Sequence, residues 1–222
     1  MLPSRPRARG GLDVTGVNLG EHWLRSFPQF LSNFHWIVPG EAARSAQIHG
    51  WLLTAFLEAN GIKSLINLRG AHPEFGWWRR EERVCLDGGV RYFNAMLDSR
   101  FLPTRKMLVA LWEGFGRAGV HPPLLIKCSG GQDRTSLAAA LYMLDRYGWS
   151  AMDEAKAQFA GLPYLHFPKR EQRWLQALPE FAREASGDRP IGEWIRESYD
   201  PHVLAQWLDR RLGPRSFRGI YP

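Results

Sequence analysis

The chain has 222 residues, 45% of them hydrophobic and 23% charged, with a formal net charge of +7. This is the composition of a globular chain with one sizeable core and an appendage, or two small domains. Two cysteines, Cys85 and Cys128, exclude a disulfide framework and fit a reducing compartment. No apolar run reaches the roughly 18 residues of a membrane span. The basic start is interrupted by Asp13, Asn18, Glu21 and His22, so no signal core is expected and a cytoplasmic protein is. The histidines are scattered without ligand spacing, and neither a metal nor a cofactor is expected. The charge favours anionic partners without choosing among them. Part of it is terminal, at Arg5, Arg7 and Arg9 and at Arg210, Arg211, Arg215 and Arg218, where solvated tails are the ordinary reading. The ten tryptophans point to broad apolar packing.

In chain order, residues 1–20 read as a flexible basic arm rich in Arg, Gly and Pro. FHWIVPG (34–40) is a short strand ending in a turn. Residues 46–59 are helical, with Ile48, Leu52, Phe56 and Leu57 on one face. KSLINLR (63–69) is a buried strand, and FGWWRREERVCLDGG a charged helix stopped by Gly88 and Gly89. VRYFNAML (90–97) is the next strand, and 104–119 a helix after Pro103. PLLIKC (123–128) is a strand and 134–147 a helix. Helical segments follow at 150–160, 168–184 and 192–211, with ASGDRPIG (185–192) as the best linker. The expected fold is α/β, a mostly parallel central sheet of about four to five strands flanked by helices. The expected organisation is a basic arm (1–20), a main domain (21–184) and a helical C-terminal extension (185–222) packing back on it through Trp194, Ile195, Leu204, Trp207 and Leu212.

The chemistry concentrates in LLIKCSGGQDRTSLAAALYMLD (124–145), where a strand turns through a glycine-rich loop into a helix. Such a turn aims backbone N–H groups inward and makes an anion nest at the positive end of the helix. Ser129, Gly130, Gly131, Gln132 and Asp133 form the nest, and the glycines permit its backbone angles. Arg134 can grip two phosphate oxygens. Cys128 at the mouth would be held largely as thiolate, facing the phosphorus of a bound monoester. Thr135 can donate a hydrogen bond to the sulfur and ease its departure.

Cys128, five residues, Arg134 and Thr135 resemble the signature of the cysteine-dependent protein tyrosine phosphatase superfamily. VPGEAARSAQ (38–47), SLINLR (64–69) and RYFNAML (91–97) resemble its compact dual-specificity members, so that the resemblance spans about residues 34–165. CSGGQDRTS also resembles the loop of myotubularin-type lipid phosphatases. Lys127 stands where the superfamily usually has His, and Ser136 where Gly is common after the Thr. Low-molecular-weight tyrosine phosphatases carry the loop near the N-terminus, and rhodanese-like sulfurtransferases have a shorter one.

The resemblance implies hydrolysis through a phosphocysteine, with Cys128 as nucleophile, Arg134 as clamp and an Asp as general acid. In AMLDSRFLP that acid would be Asp98, whose plain alternative is a turn-starting residue. Asp133 is the rival acid, and its plain alternative is a helix cap. A catalytically silent module that captures phosphorylated ligands is the reading from another class. The expected partners are phosphorylated protein or small phosphate monoesters, with anionic lipid head groups second and no nucleic acid. Arg44 and Arg69 read first as members of structural ion pairs, and Cys85 as a packed thiol rather than a redox partner of Cys128. Tyr164 and His166 fall in a loop where a packing or surface role outweighs contact with substrate.

Overall fold

The computed structural model describes residues 31–116 and 120–222. The arm at 1–20, with the arginines placed there, lies outside the described residues. Five strands form the central sheet: β1 (His35–Val38), β2 (Ala42–Ser45), β3 (Ser64–Asn67), β4 (Arg91–Asn94) and β6 (Leu124–Lys127), in the order β1-β2-β6-β3-β4. All neighbours run parallel except the β1–β2 hairpin, which is antiparallel. The mostly parallel α/β sheet is therefore the one the alternating pattern implies. A further pair, β5 (Phe101–Leu102) with β7 (Gly219–Ile220), is parallel and stands apart.

Strand alternation divides the core. Ala42, Ile66, Leu124, Ile126 and Cys128 face the larger cluster; Ala43, Leu65 and Leu125 face the smaller one. On the smaller side lie α1 (Leu52–Ala59) and α2 (Gly76–Asp87). The larger side is filled by α3 (Arg105–Gly116), α4 (Asp133–Tyr147), α5 (Met152–Ala157), α6 (Trp174–Ser186), α7 (Ile191–Glu197) and α8 (Pro201–Leu212). Helix α4 is the pivot, with every residue from Thr135 to Leu144 buried. Ile191, Trp194, Ile195, Leu204 and Leu208 enter this same core. At roughly 1.5–3 kcal/mol for each large apolar side chain taken from water, the last two helices add substantially to its stability. Tyr199 donates to the Pro103 carbonyl at 2.8 Å, and Arg105 Nε to the Tyr199 carbonyl at 2.6 Å, tying α7 and α8 to the start of α3.

Three helical expectations need correction. The helix expected from 46 begins at Leu52, because the backbone before it is used elsewhere: Ala46 N bonds the Ser32 carbonyl at 2.6 Å and Gln47 N the Ser129 carbonyl at 3.0 Å. The segment at 168–184 opens as a single 3-10 turn (Arg170–Gln172) before α6. The run at 192–211 is two helices, since Asp200 caps a new one by accepting from His202 N at 2.8 Å, with Pro201 at its first position. The apolar pattern sets no bounds for β2: Ala42, Ala43, Arg44 and Ser45 are all buried, and an arginine in a sheet interior runs against the ordinary pattern.

Candidate active site

All four parallel strands end at one edge of the sheet, and the loops after them meet around Cys128. The loop Cys128–Gln132 leaves β6 and enters α4. Gly131 has φ +64°, and a β-carbon there would strike Ala46 N and the Ser45 carbonyl. Glycine is required on both counts, for handedness and for the loop's close approach to the end of β2.

Arg44 braces the loop from below. Its fully buried guanidinium donates to the Gly131 carbonyl (3.2 Å), Ser136 Oγ (2.8 Å) and the Gln158 carbonyl (2.8 Å), and lies 4.1 Å from the Tyr164 ring centroid. The ion pair expected of Arg44 is replaced by neutral acceptors, and burial pushes its pKa down to about 10. Ser136, where glycine is common, supplies one of those acceptors. Asn33 Nδ2 secures the upper side, donating to the carbonyls of Gly131 and Tyr164, both at 3.1 Å.

Cys128 Sγ sits at the bottom of this cup. Burial pushes its pKa up, but the Arg134 charge, the Thr135 hydroxyl and the backbone N–H groups of Gly131 and Gln132 together outweigh burial, so the net shift is downward. Thr135 Oγ1 is buried and otherwise without a partner; a thiolate at Cys128 gives it one. Arg134 is held above the loop, with Nη2 2.9 Å from Ser129 Oγ and Nη1 3.5 Å from the Leu97 carbonyl. The arrangement stabilises a negative charge at the sulfur with donors fixed by the fold.

Lys127 points the other way. Alternation sends it to the α2 face, where its ammonium is 2.5 Å from Glu81 Oε1 and 2.8 Å from Gln47 Oε1. Tyr92 donates to the same carboxylate at 2.8 Å, and Gln47 Nε2 to its other oxygen. Burial pushes the Lys127 pKa down to about 8 against the pull of Glu81. Arg69 donates to Gln47 Oε1 at 3.2 Å and stacks 3.4 Å from the Trp77 ring centroid, again without the expected carboxylate partner among the described residues. Its guanidinium feels both Arg134 and Cys128, which places a second cation beside the cup. Cys85 lies in the smaller core, on the opposite sheet face from Cys128.

The two candidate acids border the same rim. Asp98 Oδ1 accepts from Arg100 N at 2.7 Å and Phe101 N at 3.1 Å, closing the turn into β5. Asp133 does not cap α4; the cap position is Gln132, and the Asp133 carboxylate turns to the segment before α6 instead. Its Oδ2 accepts from Gln172 Nε2 at 2.7 Å, and its Oδ1 lies 3.2 Å from His166 Nδ1. Gln172 Nε2 also reaches Ser99 Oγ at 3.0 Å, so one amide joins the turn of Asp98 to the loop of Asp133. His166 is buried with its ring beside Phe159. Sequence reasoning missed Asn33, Gln47, Glu81 and Gln172, whose partners at the site are distant in the chain. No group of three His, Cys, Asp or Glu among the described residues is placed to hold a metal ion.

No family model and no curated protein matches the chain. Solved structures do. PTPMT1 in complex with PI(5)P is 16% identical, with a TM-score of 0.51 over 68% of this chain and 95% of that one. The core catalytic domain of the PP-IP phosphatase SIW14 from S. cerevisiae is 19% identical, with a TM-score of 0.45 over 82% of this chain and 94% of that one. TpbA of P. aeruginosa is 16% identical, with a TM-score of 0.46 over 80% and 91%.

Proposed function

We propose, from a fold shared with the cysteine-dependent protein tyrosine phosphatase-like enzymes, that the chain hydrolyses phosphate monoesters through a phosphocysteine. The observation that carries the reading is the Cys128 thiol, fully buried yet with its pKa lowered by Arg134, Thr135 and the N–H groups of the loop. The thiolate attacks phosphorus while the ester P–O bond breaks, and Arg134 with the loop N–H groups holds the phosphoryl oxygens. Asp98 protonates the leaving oxygen. It spends only Oδ1 on its turn among the described residues, whereas both oxygens of Asp133 face α6-side partners. Water, deprotonated by Asp98, then attacks the phosphocysteine, and the sulfur departs towards the Thr135 hydroxyl.

Neutral Gly130 and Gln132 put no extra cation in the cup, so phosphotyrosine or another simple monoester, of protein or small molecule, is the first substrate reading. This is the dual-specificity type of reaction. A phosphoinositide is the second, favoured by the apolar side chains exposed around the cup; PTPMT1, which shares the fold, was solved with PI(5)P. Two free cysteines suit the reducing cytoplasm, and residues 185–222 are read as an extension that braces the phosphatase body. The test is turnover of a soluble aryl phosphate in the presence of a metal chelator, with inhibition by vanadate. Binding of the phosphate ester without turnover would instead make the chain a silent phospholigand module.

A further inference from the structure

The loops around the cup carry apolar side chains that the fold does not bury. On one flank of the cup are Trp51, 80% exposed at the start of α1, and Phe75, exposed at the start of α2. On the other are Leu162, 77% exposed, with Leu165 and Phe167, also exposed. The second group belongs to the loop that Asn33 ties to the Gly131 carbonyl through Tyr164, so it is fixed beside the cup. Leu165 has φ +57°, a left-handed conformation that leucine rarely takes. A bond from its N–H to the Gly161 carbonyl at 2.8 Å holds it there. A fold that keeps a leucine in this conformation and turns its side chain outward is presenting it.

Cations are interleaved with these side chains. Arg79 and Arg80 follow Phe75, Lys169 and Arg170 follow Phe167, and Arg173 comes one turn later; all are exposed. Two nearby carboxylates have partners, Glu74 with His72 at 2.9 Å and Glu171 with Arg218 at 3.6 Å. A groove for a peptide would gather its apolar groups into one trough. Here they are spread over three loops on two flanks of the cup, each flank carrying exposed cations and an exposed aromatic ring, which is the pattern of a surface that meets a bilayer interface.

We infer that this face docks on an anionic phospholipid bilayer, with Trp51, Phe75, Leu162, Leu165 and Phe167 entering the interfacial layer and the cations resting on the head groups. The inference rests on the phosphatase reading only for its consequence, that the cup then opens onto phosphate esters held at the membrane; docking is measured separately. No helix among the described residues is long and apolar enough to cross a membrane.

The experiment floats the full chain with vesicles of phosphatidylcholine alone and with added phosphatidylserine, at low and high salt. The chain should partition onto the anionic vesicles, with a residue of binding that survives high salt because the apolar part is not screened. Trp51→Asp with Phe167→Asp should lower that partition about tenfold or more. Lys169→Glu with Arg170→Glu should remove most of its low-salt advantage. Both doubles should turn over a soluble aryl phosphate like the parent chain, which also reports that they fold. Equal partition of the parent chain and the Trp51/Phe167 double would overturn the inference. So would loss of self-association, or slower turnover of a soluble phosphopeptide, with vesicle binding unchanged. If the parent chain binds vesicles but hydrolyses nothing, docking stands and the phosphatase reading fails.

Discussion

The chain's two cysteines are both buried, and their thiols are pushed in opposite directions. Cys85 sits in the smaller core under α1 and α2, where burial, aided by the Glu81 carboxylate, raises its pKa to about 12. Cys128 is buried as well, yet its thiol is pushed down. Burial opposes the thiolate in both, so it is not what sets reactivity. The difference is the list of donors aimed at the sulfur. Cys85 has one cation nearby, Lys127, and that ammonium is already paired with Glu81. Cys128 has the Arg134 guanidinium, which is bonded only to neutral oxygens among the described residues, a hydroxyl without another partner and two backbone N–H groups at a helix start.

Breaking the Cys128 side of this comparison should have the largest effect. Cys128→Ser removes the nucleophile and leaves the donors, so single-turnover and steady-state rates should fall by at least ~10⁴-fold while vanadate or phosphate still binds. A phosphoenzyme trapped at any other residue would contradict the assignment. Arg134→Lys keeps the charge and loses the planar fork between Ser129 and Leu97, and should cost about 10²- to 10³-fold in turnover with weaker vanadate inhibition. Asp98→Asn should cost on the order of 10²- to 10⁴-fold with an alkyl phosphate and far less with a nitrophenyl ester, whose anion leaves unprotonated. If Asp133→Asn shows this leaving-group dependence and Asp98→Asn does not, the proton comes from the loop. The smallest effect belongs to Cys85→Ala: unchanged kcat, and a stability loss of about 1 kcal/mol by denaturant titration. Iodoacetamide at pH 7 sharpens the contrast, labelling Cys128 in the folded chain and Cys85 only after unfolding, since the first thiol's pKa lies below its ordinary value and the second's far above it.

The difference between the two cysteines was legible in the sequence, because the glycine turn, Arg134 and Thr135 are neighbours of Cys128 and a local motif needs no fold to be seen. The alternation of apolar strands and amphipathic helices likewise announced the α/β sheet. What stayed hidden depends on contacts between distant segments. Arg44 looked like one half of an ion pair, yet its acceptors are carbonyls and a hydroxyl supplied by residues 131, 136 and 158. Lys127, next to the nucleophile in sequence, serves the opposite face of the sheet, which the two-residue period of a strand requires once Cys128 is known to face the larger core. The break before Pro201 did have a signal, an Asp-Pro step, which the apolar pattern of the flanking helices masked.

The β5–β7 pair carries a consequence for how the molecule matures. The cup around Cys128 is built by β6 and α4 and braced by Arg44, Asn33 and the carbonyls of Gln158 and Tyr164, all of them made well before β7. The turn of Asp98 is instead held from its far side by β7: Arg218 N bonds the Arg100 carbonyl at 2.7 Å and Tyr221 N the Leu102 carbonyl at 2.9 Å. Pairing segments so far apart in sequence closes a long loop, which is slow and comes late in folding. Nascent chains should therefore acquire a reactive thiol before they acquire an ordered acid turn. During synthesis the ability to be alkylated, or oxidised, precedes the ability to turn over.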